Sequence, residues 1–230
     1  MTLLKAFKTS HYSKNQIIFD HLFSYNSHIG ATLSKRNPKL DEYLLGFDIN
    51  NDTFFNLEKM IIILRRALSF LKCVSNNKGQ ILFVGTNSKT QVLTKTLGQT
   101  LNQPYVSGRW VKGLLTNWEN ISSSIKLYDL FLKKLSLSKK KKSNLESSLG
   151  GLKTLKALPA AIVILDLKSD QEVVKEASRL GIPVIALLDN TNSINIDQID
   201  FPIIINTSSH LSIFFISSLI IQTLKESKFG

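Results

Sequence analysis

Apolar positions along this chain follow two different periods. Leu57, Met60, Ile61, Leu64, Ala67, Leu68 and Leu71 recur every three or four residues, which places them on one face of a helix. Asn56 stands at the N-cap position before this stripe, and Asn76-Asn77-Lys78-Gly79 stops it. Four shorter runs are apolar at every position: Ile81 to Val84, Ala161 to Leu165, Val184 to Leu188 and Ile203 to Ile205. Strands apolar on both faces belong to a parallel sheet covered on both sides. Pro104-Tyr105-Val106 reads as a short fifth strand. Between the second and third runs, Ser169 and Glu172 read as a capping box, and Val173, Val174, Ala177 and Leu180 as a buried stripe. Gly181 supplies a left-handed stop, and Pro183 bars continuation. Strand, helix and strand in so short a span make a βαβ unit with a right-handed crossover, and the whole reads as a doubly wound α/β sheet.

The flanks are less regular. Residues 1–43 are polar and basic, with a short helix expected at Ile17 to Phe23. Residues 118–149 read as a helical hairpin whose tip is the run Lys139 to Lys142. Leu211 to Leu224 is interrupted by Ser212, Ser217, Ser218 and Gln222, so it reads as a buried helix; a membrane span needs roughly 20 apolar residues. The expected organisation is therefore a basic N-terminal lead-in over 1–43, α/β domain over 44–117, hairpin over 118–149, and the rest of the α/β domain over 150–230.

Charge changes this picture. The net charge of +12 is carried by residues 1–40, with six Lys/Arg against one acid, and residues 120–157, with nine Lys against two acids. The remainder is balanced, so a neutral body bears two basic segments, which attract polyphosphates by counterion release. Twenty-four Lys against five Arg, with 24 Ile and 17 Asn but only eight Ala, points to A/T-rich codons, as in an organelle genome or an A/T-rich bacterium.

Little of the sequence supports catalysis. The single cysteine, Cys73, excludes an intramolecular disulfide and reads as a core residue of its helix. His11, His21, His28 and His210 form no pair at metal-ligand spacing. Gly85-Thr86-Asn87-Ser88-Lys89-Thr90 follows a strand and precedes a helix, where backbone amides can cradle phosphate. It lacks the glycine required before the lysine, and reads as an ordinary turn. Asp166 and Asp189 end strands at the edge where α/β sheets bind ligands, and read as caps of the following loops. Arg109-Trp110-Val111-Lys112-Gly113-Leu114-Leu115-Thr116-Asn117-Trp118 mixes aromatics and cations, a combination suited to nucleic acid. Trp118 is expected to be buried, pinning the hairpin, with Arg109 and Lys112 accessible.

That stretch resembles the signature of the bacterial-type ribosomal protein S2 family of the small subunit. Asn37-Pro38-Lys39, Asn56-Leu57-Glu58-Lys59 and Ile81-Leu82-Phe83-Val84-Gly85-Thr86 resemble further family blocks. So do Leu145-Glu146-Ser147-Ser148-Leu149-Gly150-Gly151, Leu158-Pro159 and Leu180-Gly181-Ile182-Pro183-Val184. The resemblance runs from about His28 to the end. It implies a three-layer α/β/α, flavodoxin- or Rossmann-like fold with a projecting hairpin, no enzyme activity and no cofactor. It implies a scaffold between head and body of the small subunit, against ribosomal RNA and neighbouring ribosomal proteins, neither membrane-bound nor a homo-oligomer. Candidate RNA-binding residues are Lys35, Arg36, Lys39, Arg109, Lys112, Lys126, Lys139, Lys140, Lys141 and Lys142. Three departures from the family point to a mitochondrial member, with a plastid as the alternative: Ala31 after Gly30 in place of His, a shortened hairpin between Ile125 and Leu145, and Asn206-Thr207-Ser208-Ser209-His210 in place of an acidic stretch. The competing reading is a nucleotide- or small-ligand-binding enzyme domain on the same sheet.

Overall fold

The computed structural model describes residues 14–123, 149–192 and 196–228. Five strands, β4 (Ile81–Val84), β5 (Tyr105–Val106), β6 (Ala161–Ile164), β7 (Val184–Leu188) and β8 (Phe201–Ile204), form one parallel sheet in the order β5-β4-β6-β7-β8. β4, β6 and β7 are buried at every position, as their unbroken apolar runs require. β8 includes Pro202, which is tolerated because β8 is an edge strand and a missing N–H breaks no inner ladder. The chain steps from β4 to β5 in one direction and from β6 to β7 in the other. Crossovers of one hand therefore put their connecting helices on opposite faces.

Those helices are α3 (Gln91–Leu101) and α4 (Gln171–Leu180). α1 (Lys14–Ser24), α2 (Leu57–Asn76) and α5 (His210–Lys228) complete the helical set, and α5 packs against α1, α2 and α3. The α2 cap forms as its sequence requires: Asn56 Oδ1 accepts from the Lys59 amide at 3.1 Å. The stripe Leu57, Met60, Ile61, Leu64, Ala67 and Leu71 is buried. Gly181 ends α4 at φ +65°. Tyr105 fits between two glycines: a Cβ at Gly98 would overlap its ring, and one at Gly151 would overlap its carbonyl oxygen.

Four features differ from the sequence expectations. Leu180, expected on the buried stripe of α4, is exposed, because as the last residue of the helix it lies beyond the face that Val173, Val174, Glu176 and Ala177 bury. Cys73 is exposed, because it falls on the side of α2 away from the buried stripe. The Ser169–Glu172 box does not form. The Ser169 hydroxyl donates instead to Asp166 at 2.9 Å, a buried carboxylate in need of donors, and Glu172 pairs with Lys175 at 3.0 Å. A second sheet also appears, antiparallel, in the order β1-β3-β2, from β1 (Ile29–Thr32), β2 (Leu44–Phe47) and β3 (Asp52–Phe55). Its four-residue strands carry too few apolar positions for alternation to show. The hairpin expected beyond residue 123 lies outside the described residues. No helix among the described residues is long and apolar enough to cross a membrane.

Candidate nucleic-acid interface

Glu176 organises the Arg109–Trp118 segment. This carboxylate lies on the buried face of α4, 7% exposed, and accepts three hydrogen bonds from the segment. The Trp110 indole Nε1 and the Gly113 amide donate to Oε1 at 3.0 and 2.8 Å, and the Leu115 amide donates to Oε2 at 3.0 Å. Gly113 takes φ +83°, a left-handed turn that aims its amide inward and that glycine adopts without strain. Trp110, Leu114 and Leu115 are buried, whereas Trp118 is only half-buried. The tryptophan that anchors the segment is therefore Trp110, which places its N–H on a buried acceptor, while Trp118 packs against the core only in part. Arg109 and Lys112 are exposed on the same segment.

The loop after β4 has its donors in use. The Thr86 amide and hydroxyl donate to the Asp170 carboxylate at 3.1 and 2.7 Å, and Asn87 Nδ2 donates to Asp166 at 2.8 Å. Two carboxylates thus occupy the space in which a phosphate would be cradled, and their charge repels one. Asp166 also accepts from the Lys168 amide, the capping role expected of a strand-terminal aspartate. Asp189 does the same, accepting from the Thr191 amide and hydroxyl and from Asn192 Nδ2.

Burial pushes the Asp170 carboxyl from 3.8 up to about 6, against the hydrogen bonds from Thr86 and with a contribution from the charge of Asp166. Between pH 4 and 6 the folded protein then holds a proton that the unfolded chain has released. This group's contribution to stability falls as pH rises through that window, by on the order of 3 kcal/mol. Asp170→Asn keeps both partners, with its carbonyl accepting from the Thr86 amide and its amide donating to the Thr86 hydroxyl. Urea unfolding at pH 4 and 6.5 should show the variant gaining on the natural protein as pH rises. A constant difference between the two would remove Asp170 as the source.

Asn190, directly after β7, joins the two sheets. Its Oδ1 accepts from the Ala31 amide at 2.9 Å, and its Nδ2 donates to Thr53 Oγ1 at 2.7 Å. The Asn190 carbonyl accepts from the Asn37 amide at 2.7 Å, and Asn37 Nδ2 donates to the Asn192 carbonyl at 2.7 Å. The Asn37-Pro38-Lys39 block is thereby tied to the carboxyl edge of the parallel sheet. Lys35 and Lys39 are exposed beside it. Arg36 is held bidentately by Asp41 at 2.7 and 3.0 Å, so its charge is already matched. The candidate cations among the described residues fall on two segments at this edge, Lys35 to Lys39 after the Asn190 joint and Arg109 to Lys112 after β5. Between them sit Lys89, set aside above with its turn, and Lys168, which the sequence reading passed over, both exposed. Their signal was position: each lies in a loop leaving the carboxyl end of a parallel strand. Lys126, Lys139, Lys140, Lys141 and Lys142 lie outside the described residues. No group of His, Cys, Asp and Glu among the described residues could hold a metal ion.

Comparison with known proteins places the chain in a family. The family described as Ribosomal protein S2 matches residues 22–227. The small ribosomal subunit protein uS2 of Ehrlichia ruminantium is 36% identical over 213 residues, covering 87% of this chain and 73% of that protein. The uS2 of Marinobacter nauticus is 34% identical over 201 residues, covering 82% and 79%, and that of Anaplasma phagocytophilum is 36% identical over 213 residues, covering 87% and 71%. A match spanning nearly the whole chain, on a sheet whose carboxyl edge is closed by its own aspartates and fringed with exposed cations, establishes that the chain belongs to the ribosomal protein S2 family, uS2, which is not a family of enzymes.

Proposed function

We propose that the chain is a structural constituent of the small ribosomal subunit, seated between head and body, where it binds ribosomal RNA and neighbouring ribosomal proteins. Membership of the uS2 family carries this reading. The carboxyl edge of the sheet supports it: Asp166 and Asp170 are turned inward on loop donors while Lys35, Lys39, Arg109 and Lys112 stay accessible. Such cations position a protein on phosphates without reading sequence. Lys126 and the four lysines Lys139 to Lys142 are proposed as further phosphate contacts, and Arg36 as a contact made once Asp41 releases it. The subunit is that of an organelle, a mitochondrion before a plastid. The Lys-, Ile- and Asn-rich composition and the departures at Ala31 and at Asn206 to His210 support this placement.

Sedimentation tests both levels. Tagged protein from an organelle lysate should travel with the small subunit and be released by high salt, since phosphate neutralisation dominates such interfaces. Protein that stays free at every salt concentration would sink the reading. Protein found only on ribosomes outside organelles would remove the organellar part alone. Replacing Arg109 and Lys112 with Gln should lower incorporation while changing stability by no more than about 0.5 kcal/mol, because both are exposed. A double variant that unfolds before it fails to bind would reassign these residues to packing.

A further inference from the structure

The β2–β3 hairpin presents a surface of opposite character to the basic edge. Residues 40–58 hold five acids and no Lys or Arg, in a chain of net charge +12. Asp41 is matched by Arg36 and Lys59 reaches the Glu42 carbonyl, so Glu42, Asp48, Asp52 and Glu58 outnumber Lys59 and the surface stays acidic. The same hairpin exposes large apolar side chains, Leu45 at 75%, Phe47 at 63% and Ile49 at 96%. Beside it lies a groove of about 480 Å³ between α1, the small sheet and the start of α2. Phe19, Phe23, His28 and Phe54 line it as a row of stacked rings, with successive centroids 6.4, 4.4 and 5.9 Å apart. Burial lowers the His28 pKa below its ordinary value, so the row is uncharged at neutral pH. Glu58 also lines the groove.

A surface both acidic and apolar is a poor seat for RNA, whose phosphates it repels. Contiguous exposed apolar side chains fit a protein instead. Charge complementarity then selects the partner: a polypeptide segment rich in Lys and Arg that inserts an aliphatic or aromatic anchor into the groove. β2 is also an outer strand of its sheet, so an extended segment can pair along its free edge. We infer that the β2–β3 hairpin and its aromatic groove dock a basic, apolar-anchored segment of a neighbouring protein in the subunit. The inference rests on the proposed place of the chain in the small subunit.

The test uses assembled small subunits containing the full chain with the photo-crosslinking residue p-benzoylphenylalanine at position 49. The same residue at position 109 serves as a parallel probe of the basic edge. Irradiation should join position 49 to a Lys/Arg-rich segment of another protein, identified by peptide sequencing. The yield should fall about tenfold or more in a Leu45→Lys/Phe47→Lys background, where like charges face the partner. Both side chains are exposed, so thermal unfolding should be unchanged. Glu58→Lys serves as a second variant should the double one fold poorly. Crosslinks from position 49 to ribosomal RNA, to residues 1–13 of this chain, to a second copy or to an acidic segment would each overturn the inference, as would a yield indifferent to these variants or no crosslink at all. If the chain never enters the small-subunit peak, the reading beneath the inference fails first and takes the inference with it. If position 109 reaches RNA while position 49 reaches nothing, only the docking surface is lost.

Discussion

Trp110→Ala should destabilise the protein by roughly 3–5 kcal/mol, the cost of deleting a buried aromatic that leaves a cavity. The indole is 8% exposed and shares its acceptor, Glu176, with the Gly113 amide. Trp118→Ala should cost only about 1–2 kcal/mol, since that ring is half-buried. Glu176→Ala should cost about 3 kcal/mol or more, because it strands the Trp110 indole and the Gly113 and Leu115 amides without acceptors. The Trp110 and Glu176 losses should add to less than their sum, because both break the same joint. Urea unfolding of the three single variants and the Trp110/Glu176 double variant checks all of this. Equal losses at the two tryptophans, or strict additivity in the double variant, would show that Glu176 does not hold the segment.

Asn190→Ala is the second large effect, at about 2–4 kcal/mol, with a local signature. Asn190 is fully buried and satisfies both the Ala31 amide and the Thr53 hydroxyl. Without it, amide hydrogen exchange should accelerate across residues 29–55 before it does in β4, β6 or β7, because this side chain helps tie down the small sheet while the inner parallel strands are held by their own ladders. Uniform acceleration would mean that the two sheets open as one unit.

The parallel sheet was legible in the sequence because its inner strands are buried on both faces, and so read as unbroken apolar runs. α2 and α4 were legible through stripes, and through Asn56 and Gly181, whose backbone roles few residues can fill. The small antiparallel sheet was not. Its outer strand β2 exposes Leu45 and Phe47, so apolar residues there mark solvent and not core, and the rule that hydrophobic residues lie inside fails in that direction. The interface was legible as cations and tryptophans, but the assignment between the two tryptophans was not, because it depends on Glu176, some 66 residues away. A cue existed: Glu176 falls in phase with Val173, Val174 and Ala177, and an acid on a buried stripe demands donors from elsewhere. Asp170 is a similar case. Its place before α4 suggests a cap, yet its oxygens go to Thr86 across the sheet edge.

The stretch Asn206 to Ser212 has a consequence for how the chain is made. The Asn206 amide donates to the Ser27 carbonyl at 3.0 Å, the Ser209 hydroxyl to the Tyr25 carbonyl at 2.9 Å, and the Ser27 hydroxyl to Ser212 at 2.7 Å across 185 positions of sequence. The turn that seats α1 is therefore completed by residues synthesised long after it. During translation α1 has α2 to pack against as soon as that helix emerges, but its closing turn must wait until α5 leaves the exit tunnel. Contacts of such long range are slow to close, and the open interval is when aggregation competes. α1 is thus made long before its closing turn is complete, and truncation before α5 leaves that turn without its partners.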